Sequence, residues 1–153
     1  MEICWFAEAD ISRCAALFVR VFNGSPWNDS WQLETAVKRL EELYRAPGFH
    51  GLIAQEKSEA IGFALGVIEQ WDRHQLFYLR EMCVAPERRR HGIGTKLMEA
   101  LERELTSKTV ARFYLFTMRD GSAQVFYERC GFSNCSDMMM LGKRLLANPG
   151  EKN

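Results

Sequence analysis

The stretch that decides the fold is Val84-Ala85-Pro86-Glu87-Arg88-Arg89-Arg90-His91-Gly92-Ile93-Gly94-Thr95. An apolar strand ends at its start, and an amphipathic segment whose apolar residues recur at helical spacing follows it. A glycine-bearing turn from strand into helix leaves several backbone N–H groups unpaired and directed at one point, where the helix dipole adds partial positive charge. Because glycines admit an anion close to the backbone and arginines add charge-assisted donors, the stretch predicts a phosphate or pyrophosphate site.

Two common phosphate-binding motifs do not fit these residues. A dinucleotide-binding turn carries a third glycine where Leu97 stands, and a P-loop carries Lys followed by Ser or Thr, whereas Lys96 here follows Thr95. On the glycines alone, a tight turn with a solvated basic rim is an alternative interpretation.

The segments upstream of the turn predict a meander of strands. A short strand and two amphipathic helices, the second starting near Asp29, come first. Three strand-like runs separated by polar turns follow at 51–55, 60–70 and 76–84. These runs are typical of antiparallel strands, and the third leads into the turn.

The segments downstream predict a parallel pair of strands and complete one α+β domain. A helix and a strand at 111–117 form a strand–helix–strand crossover with the run at 76–84, which places the two strands parallel. A short helix and a last strand at 137–145 follow. We therefore expect a single domain over 1–147 and a frayed tail over 148–153.

The composition excludes several classes of function. The 153 residues carry 20 Lys+Arg and 20 Asp+Glu, a balance that argues against binding nucleic acid through phosphate neutralisation. No apolar run approaches the ~18–20 residues that cross a bilayer, and the acidic start lacks the positive charge of a secretory peptide. We therefore expect a cytoplasmic protein without a membrane partner. The five cysteines and three histidines lack the spacing of metal ligands, so no metal site is expected.

Two motifs together resemble the GNAT superfamily of acetyl-CoA-dependent N-acetyltransferases. Arg89-x-x-Gly92-x-Gly94, preceded by Val84-x-Pro86, is similar to the coenzyme signature of that family. Phe126-Tyr127-Glu128-Arg129-Cys130-Gly131-Phe132 is similar to its helix-to-strand motif, and the order of elements agrees over nearly the whole chain. The resemblance implies a GNAT-like α+β fold, with a mixed central sheet of about six or seven strands, four flanking helices, and parallel, splayed strands 4 and 5.

The resemblance also implies where acetyl-CoA binds. The backbone amides from Arg90 through Thr95 would hold the pyrophosphate, framed by Arg89, and the end of strand 4 would pair with the pantetheine arm. Many relatives carry Asn where this chain has Asp120, which when ionised accepts but does not donate a hydrogen bond, and whose alternative role is to cap the short helix. The expected coenzyme-binding residues are Met82, Cys83, Val84, Arg89, Arg90, His91, Gly92, Ile93, Gly94, Thr95 and Asp120.

Tyr127 and Glu81 are the expected catalytic residues. The resemblance implies that Tyr127 protonates the departing thiolate as general acid; a core aromatic is its alternative role. Glu81 on strand 4 is the candidate base that takes a proton from the acceptor ammonium group. The alternatives are a structural salt bridge of this carboxylate with Arg80 or Arg119, and a base at Glu69 or Asp72.

The acceptor is expected near the connection between the first two helices. Trp27, Asp29 and Trp31 combine two aromatic rings with an acid, a group that suits an amine through cation–π and ionic contact. Packing of both rings over the sheet as a lid is the alternative.

The expected function is transfer of acetyl from acetyl-CoA to a primary amine by direct attack in a ternary complex, with a small cationic amine as acceptor. A protein or peptide amine is an alternative acceptor. A non-catalytic acetyl-CoA sensor or a partner-binding module on the same fold is the alternative function. The sequence does not determine the oligomeric state, although in some relatives the last strand pairs across a homodimer.

Overall fold

A five-stranded mixed sheet and four α-helices form the regular structure of residues 1–146, the part of the chain that this computed structural model describes. In chain order the elements are β1 (Glu2–Trp5), α1 (Ile11–Phe22), α2 (Leu33–Tyr44), β2 (Phe49–Glu56), β3 (Glu59–Gln70), β4 (Gln75–Val84), α3 (Ile93–Ser107), β5 (Val110–Leu115) and α4 (Ser122–Arg129). Short 3-10 turns precede α1 and follow β4.

The topology of the sheet follows from its single crossover. The strand order is β1-β2-β3-β4-β5, and neighbouring strands are antiparallel except for the parallel pair of β4 and β5. The α3 helix connects this pair, as expected for a strand–helix–strand unit. The predicted α+β fold with parallel strands 4 and 5 is confirmed.

Helices cover both faces of the sheet. The α1 and α2 helices bury their apolar sides on one face, where Phe18 and Leu40 are almost inaccessible to solvent. The α3 helix buries Leu97 on the other face, in the same core cluster as Phe77. Because both faces are covered, the open space lies at the end of the sheet, where β4 and β5 part.

A β-bulge in β4 lies next to this opening. Leu65 of β3 lies opposite Glu81 of β4. The next β3 residue, Gly66, lies opposite Leu79, so Arg80 is the additional residue of the bulge. Glycine is required at position 66, because a Cβ there would lie 2.3 Å from a carbonyl oxygen of β4.

Pairing between β4 and β5 ends beside the bulge. Leu79 and Leu115 are the last paired residues, whereas β4 continues to Val84. Within residues 1–146, the β4 edge over 80–84 therefore has no strand partner on the β5 side. We call this gap between the ends of the two parallel strands the fork.

Two expectations about the elements are wrong. Residues 133–146 form no strand, so a last strand at 137–145 is absent and the described sheet has five strands rather than six or seven. A strand needs a paired neighbour, and no strand of the described chain pairs with this segment. The second helix begins at Leu33 rather than near Asp29, because the extended residue Gln32 is its N-cap and the Gln32 N–H donates to the Thr35 hydroxyl.

Other expectations concern the chain ends and membranes. The predicted domain end at 147 and the tail over 148–153 lie outside the described residues. Among the helices of the described chain, none is both long enough and apolar enough to cross a membrane.

We predict that Gly66→Ala destabilises the protein. The added methyl group would meet backbone atoms of β4, so we expect a loss of about 1–3 kcal/mol in the free energy of unfolding. Gly142→Ala is the control, because no atom lies within 4 Å of a Cβ built there. Urea unfolding of both variants measures the difference, and equal stabilities would contradict the close approach of β3 and β4.

Candidate active site

A cleft of about 770 Å³ lies at the fork, between the β4 edge and the first turns of α3 and α4. The end of α1 and the residues after it close its outer side. His91 and Asp120 are not among the residues that line it. The expected coenzyme residues that do line it are Met82, Cys83, Val84, Arg89, Arg90, Gly92, Ile93, Gly94 and Thr95.

The turn into α3 presents unpaired backbone N–H groups. Arg90 and Gly92 have left-handed backbone conformations, with φ of 63° and 75°, and α3 begins directly afterwards at Ile93. The Lys96 N–H donates to the Gly92 carbonyl as the first intrahelical bond, so the N–H groups at 93–95 have no acceptor within the helix. An anion here would accept several hydrogen bonds at the positive end of the helix dipole.

Gly94 brings α4 against this turn. A Cβ at Gly94 would lie 3.1 Å from the Phe126 ring, which is closer than most side-chain contacts. The α4 helix therefore packs directly against the start of α3, and Tyr127 lines the cleft beside it. The two motifs that resemble the GNAT signature, distant in the sequence, meet at this contact.

The cleft is basic. Four arginines and no carboxylate line it among the described residues. Arg88 is paired with Glu56, whereas Arg89, Arg90 and Arg129 take part in none of the ion pairs within residues 1–146. Their uncompensated charge favours a ligand with several negative charges.

Tyr127 is a neutral phenol beside the β4 edge. Its ring packs edge-on against Phe132, with the ring centroids 5.8 Å apart. Burial is the main cause that raises the pKa of this phenol above its ordinary value, followed by the nearby Cys130, Cys83 and Glu81. The hydroxyl therefore keeps its proton at neutral pH and is able to donate it.

Glu81 lies on the face of the sheet that α2 covers, with 9% of its surface exposed. Arg39 of α2 contacts its Oε1 atom through both Nε, at 2.7 Å, and Nη2, at 2.6 Å. Burial raises the pKa of Glu81 above its ordinary value, and the positive charges of Arg39 and then Arg80 partly offset this effect. A carboxyl group in this environment is a candidate proton acceptor.

Arg39 is the site residue that sequence reasoning missed. The expected partners of Glu81, Arg80 and Arg119, form no ion pair with it within the described chain. The signal was present in α2, because Arg39 stands three residues after Ala36 and four before Leu43, both of which are buried. A basic residue on the buried face of an amphipathic helix needs an acidic partner.

The expected acceptor residues separate into two groups. Trp27 lines the cleft, with its ring centroid 5.7 Å from that of Phe22. Trp31 packs edge-on against the buried Phe18 and donates its indole N–H to Asp29 at 3.1 Å. Only Trp27 of the three expected residues therefore lines the cleft.

Comparison with known proteins identifies the family. The family model for acetyltransferases of the GNAT family matches residues 12–132, which include both motifs. The chain belongs to the GNAT family of acetyltransferases. Within residues 1–146 of this GNAT enzyme, no three His, Cys, Asp or Glu side chains are grouped so that they could hold a metal ion.

Relatives of this GNAT chain match it from end to end. An acetyltransferase of Pectobacterium atrosepticum is 28% identical over 150 residues, which cover 95% of this chain and 96% of the relative. An acetyltransferase of Yersinia pseudotuberculosis is 26% identical over 152 residues, which cover 97% of this chain and 98% of the relative. The similarity therefore spans a domain of the same length.

Solved structures share the fold at low sequence identity. A possible acetyltransferase from Clostridium difficile 630 matches with a TM-score of 0.81 at 14% identity, over 95% of this chain and 98% of that chain. AAC(6')-Iy in complex with the bisubstrate analogue CoA-S-monomethyl-acetylneamine matches with a TM-score of 0.73 at 21% identity, over 94% and 98%. These matches show the fold, and they agree with the family.

We predict that Arg39→Met raises the pKa of Glu81 further. The substitution removes the cation that most strongly stabilises the ionised carboxylate, while burial remains. A pH titration of the Glu81 side-chain carboxyl carbon by NMR measures the pKa. Lys38→Met is the matched control, because Lys38 lies on the same helix and pairs with Glu42. An unchanged or lower pKa in Arg39→Met would contradict this electrostatic role.

Proposed function

We propose that residues 1–147 form one domain that transfers the acetyl group of acetyl-CoA to a primary amine by direct attack. The observation that carries this proposal is the fork, where the unpaired β4 edge runs beside a buried neutral phenol, Tyr127, and a buried carboxyl group, Glu81. The Tyr127 phenol is suited to donate a proton, and the Glu81 carboxyl group is suited to accept one.

The cleft fits acetyl-CoA in charge and in backbone chemistry. The free N–H groups at 93–95, with Arg89, Arg90 and Arg129, would hold the phosphates. The unpaired β4 edge at 82–84 would hydrogen-bond the amide-containing pantetheine arm like an added strand. The coenzyme supplies the acetyl group as a thioester. AAC(6')-Iy, which shares the fold, has been solved in complex with CoA.

The residues at the fork then move two protons. Glu81 accepts a proton from the acceptor ammonium group at Oε2, since both Arg39 contacts go to Oε1. The amine nitrogen attacks the acetyl carbon, and β4 N–H groups stabilise the charge that develops on the carbonyl oxygen. As the C–N bond forms and the C–S bond breaks, Tyr127 Oη gives its proton to the departing sulfur. The second amine proton restores Tyr127, and Glu81 releases its proton to solvent.

Cys83 has no covalent role in this mechanism. Burial raises the pKa of its thiol well above the ordinary value, and the nearby Cys14 and Glu81 act in the same direction. The thiolate is the nucleophilic form of cysteine, so a buried neutral thiol supports direct attack over an acetyl-enzyme.

The proposed acceptor is a small cationic amine. The carboxylates of Glu81 and Glu69 belong to β4 and β3, away from the arginines of the coenzyme cleft, and Trp27 offers an aromatic wall. AAC(6')-Iy, an aminoglycoside N-acetyltransferase that shares the fold, has been solved with the bisubstrate analogue CoA-S-monomethyl-acetylneamine. A protein or peptide acceptor and a non-catalytic acetyl-CoA sensor are the competing functions that the next experiment separates.

We predict that Tyr127→Phe lowers turnover by about 10²-fold, because it removes the proton donor but keeps the ring. Thiol release from acetyl-CoA is measured with panels of small amines and peptides, and coenzyme affinity by calorimetry. The affinity should stay unchanged, and Tyr44→Phe, a tyrosine that packs against Phe6 and Phe49, should retain full activity.

Three results would each contradict part of this proposal. Full activity of Tyr127→Phe would show that Tyr127 is not the general acid. Tight coenzyme binding without turnover on any small amine or peptide would favour the sensor, whereas turnover on peptides alone would favour the protein acceptor.

We also propose that two copies of the chain pair through β5. The β5 strand ends the strand order, so within residues 1–146 no strand pairs with its outer edge. Separately, the segment 138–146 exposes six large apolar side chains to 71–85%. An unpaired edge and an exposed apolar segment are complementary, because adding a strand satisfies the edge and buries the side chains.

We predict that the protein is a dimer at micromolar concentration and that Met139→Lys with Leu141→Lys makes it a monomer. Both side chains would lie on one face of an added strand, where charge opposes burial. Sedimentation equilibrium over a concentration series measures the mass, and Lys143→Gln in the same segment is the control. A parent protein that stays monomeric would indicate that the segment pairs with its own chain or not at all.

A further inference from the structure

An aromatic cluster, formed by Tyr78, Tyr114 and Phe116, lies at the fork outside the coenzyme cleft. The rings of Tyr78 and Tyr114 stack at 4.9 Å between centroids with an angle of 8° between their planes. The exposed Phe116 meets both rings edge-on, at 5.5 and 6.2 Å. The two tyrosines are paired in the β4–β5 register, so the stack is built on the sheet itself.

The charges around the aromatic cluster point to a cation. The guanidinium group of Arg80 lies 5.0 Å from the centroid of the Tyr78 ring, in the arrangement of a cation–π contact. The hydroxyl of Tyr114 donates to Glu69 Oε2 at 2.7 Å. Burial, then this hydrogen bond, raises the pKa of Tyr114 to about 12, so the hydroxyl remains a donor. The face of the Tyr78 ring already attracts a positive group. The Glu69 carboxylate, which accepts from Tyr114, lies beside it.

The aromatic cluster lies on the same side of the sheet as the proposed base. Tyr78 packs against the core beneath α1 and α2, and Glu81 contacts Arg39 of α2. In the β3–β4 register Tyr78 lies opposite Val67 and Glu81 lies opposite Leu65. These β3 positions are two residues apart, so the aromatic cluster and the base are separated by about 7 Å along the strand.

We propose that the aromatic cluster and Glu69 bind the second ammonium group of a linear diamine acceptor whose reactive amine lies at Glu81. In an extended diamine with four or five methylenes, the distance between the two nitrogen atoms is about the same as the distance along the strand between the aromatic cluster and Glu81. Arg80 is exposed, so its guanidinium group is free to leave the Tyr78 ring when the ligand cation takes its place. The inference rests on the proposed acetyl transfer and defines which amines that site prefers.

Binding measurements test the diamine site without requiring turnover. Calorimetry on the protein loaded with CoA compares pentane-1,5-diamine with pentylamine, and we expect the diamine to bind about tenfold more tightly. Tyr78→Leu should abolish this preference, whereas Tyr78→Phe, which keeps the π face, should retain it. Trp71→Leu is the control, because Trp71 is an exposed aromatic on the β3–β4 connection and outside the aromatic cluster.

Two further variants test the charges without removing a packed ring. Glu69→Gln should lower the diamine preference, and Arg80→Met should raise it, because it removes the cation that competes for the Tyr78 face. Equal affinities for diamine and monoamine in the parent protein would overturn the proposal, as would an equal loss of preference in Tyr78→Phe and Tyr78→Leu.

Turnover with the same two amines separates this inference from the proposed function. Acetylation of pentylamine and the diamine with equal kcat/KM would support the transferase and overturn the diamine site. Selective binding of the diamine without acetylation of either amine would support the binding site and overturn the transferase.

Discussion

The end of pairing between β4 and β5 is the constraint on which the rest of the site depends. Backbone N–H and C=O groups need hydrogen-bond partners, and beyond Leu79 those on this edge of β4 have no strand to meet within the described chain. The bulge at Arg80 lies directly after the last paired residue of β4, and Gly66 allows β3 to approach β4 closely beside it. An extended ligand that carries amide groups is the natural partner for such an edge.

The fork also explains why a formal net charge of zero is compatible with binding a polyanion. Arg89, Arg90 and Arg129 line the cleft on one side of the β4 edge. Glu81 lies beneath α2 with Arg39, and Glu69 stands beside the aromatic cluster. The arginines therefore line the cleft, whereas Glu81 and Glu69 do not. Total charge argues against a nucleic-acid surface, but only the positions of the charges distinguish the cleft from the proposed acceptor side.

Local features of this enzyme were predictable because they depend on neighbours in the chain. The turn into α3 requires only the glycines and arginines of 84–95, and the crossover that makes β4 and β5 parallel requires only a strand, a helix and a strand. Contacts between distant segments were not predictable. Arg39 stands 42 residues before Glu81, and the position of neither residue in the sequence indicates that the other is its partner. Asp29 is an equally good helix cap in the sequence, but the folded chain starts the helix after Gln32, and the Asp29 carboxylate accepts a hydrogen bond from the Trp31 indole.

The family, the α+β class and the two motifs followed from the residues alone, because each is recognisable from a short segment or from a regular spacing of apolar residues. Packing decided which side chains share an environment: Tyr78 with Tyr114, Glu81 with Arg39, and the start of α3 with Phe126. It also decided that 137–145 forms no strand within the described chain, although its apolar residues predicted one. A strand exists only where another edge accepts its hydrogen bonds, and that edge is a property of the assembled fold rather than of the segment.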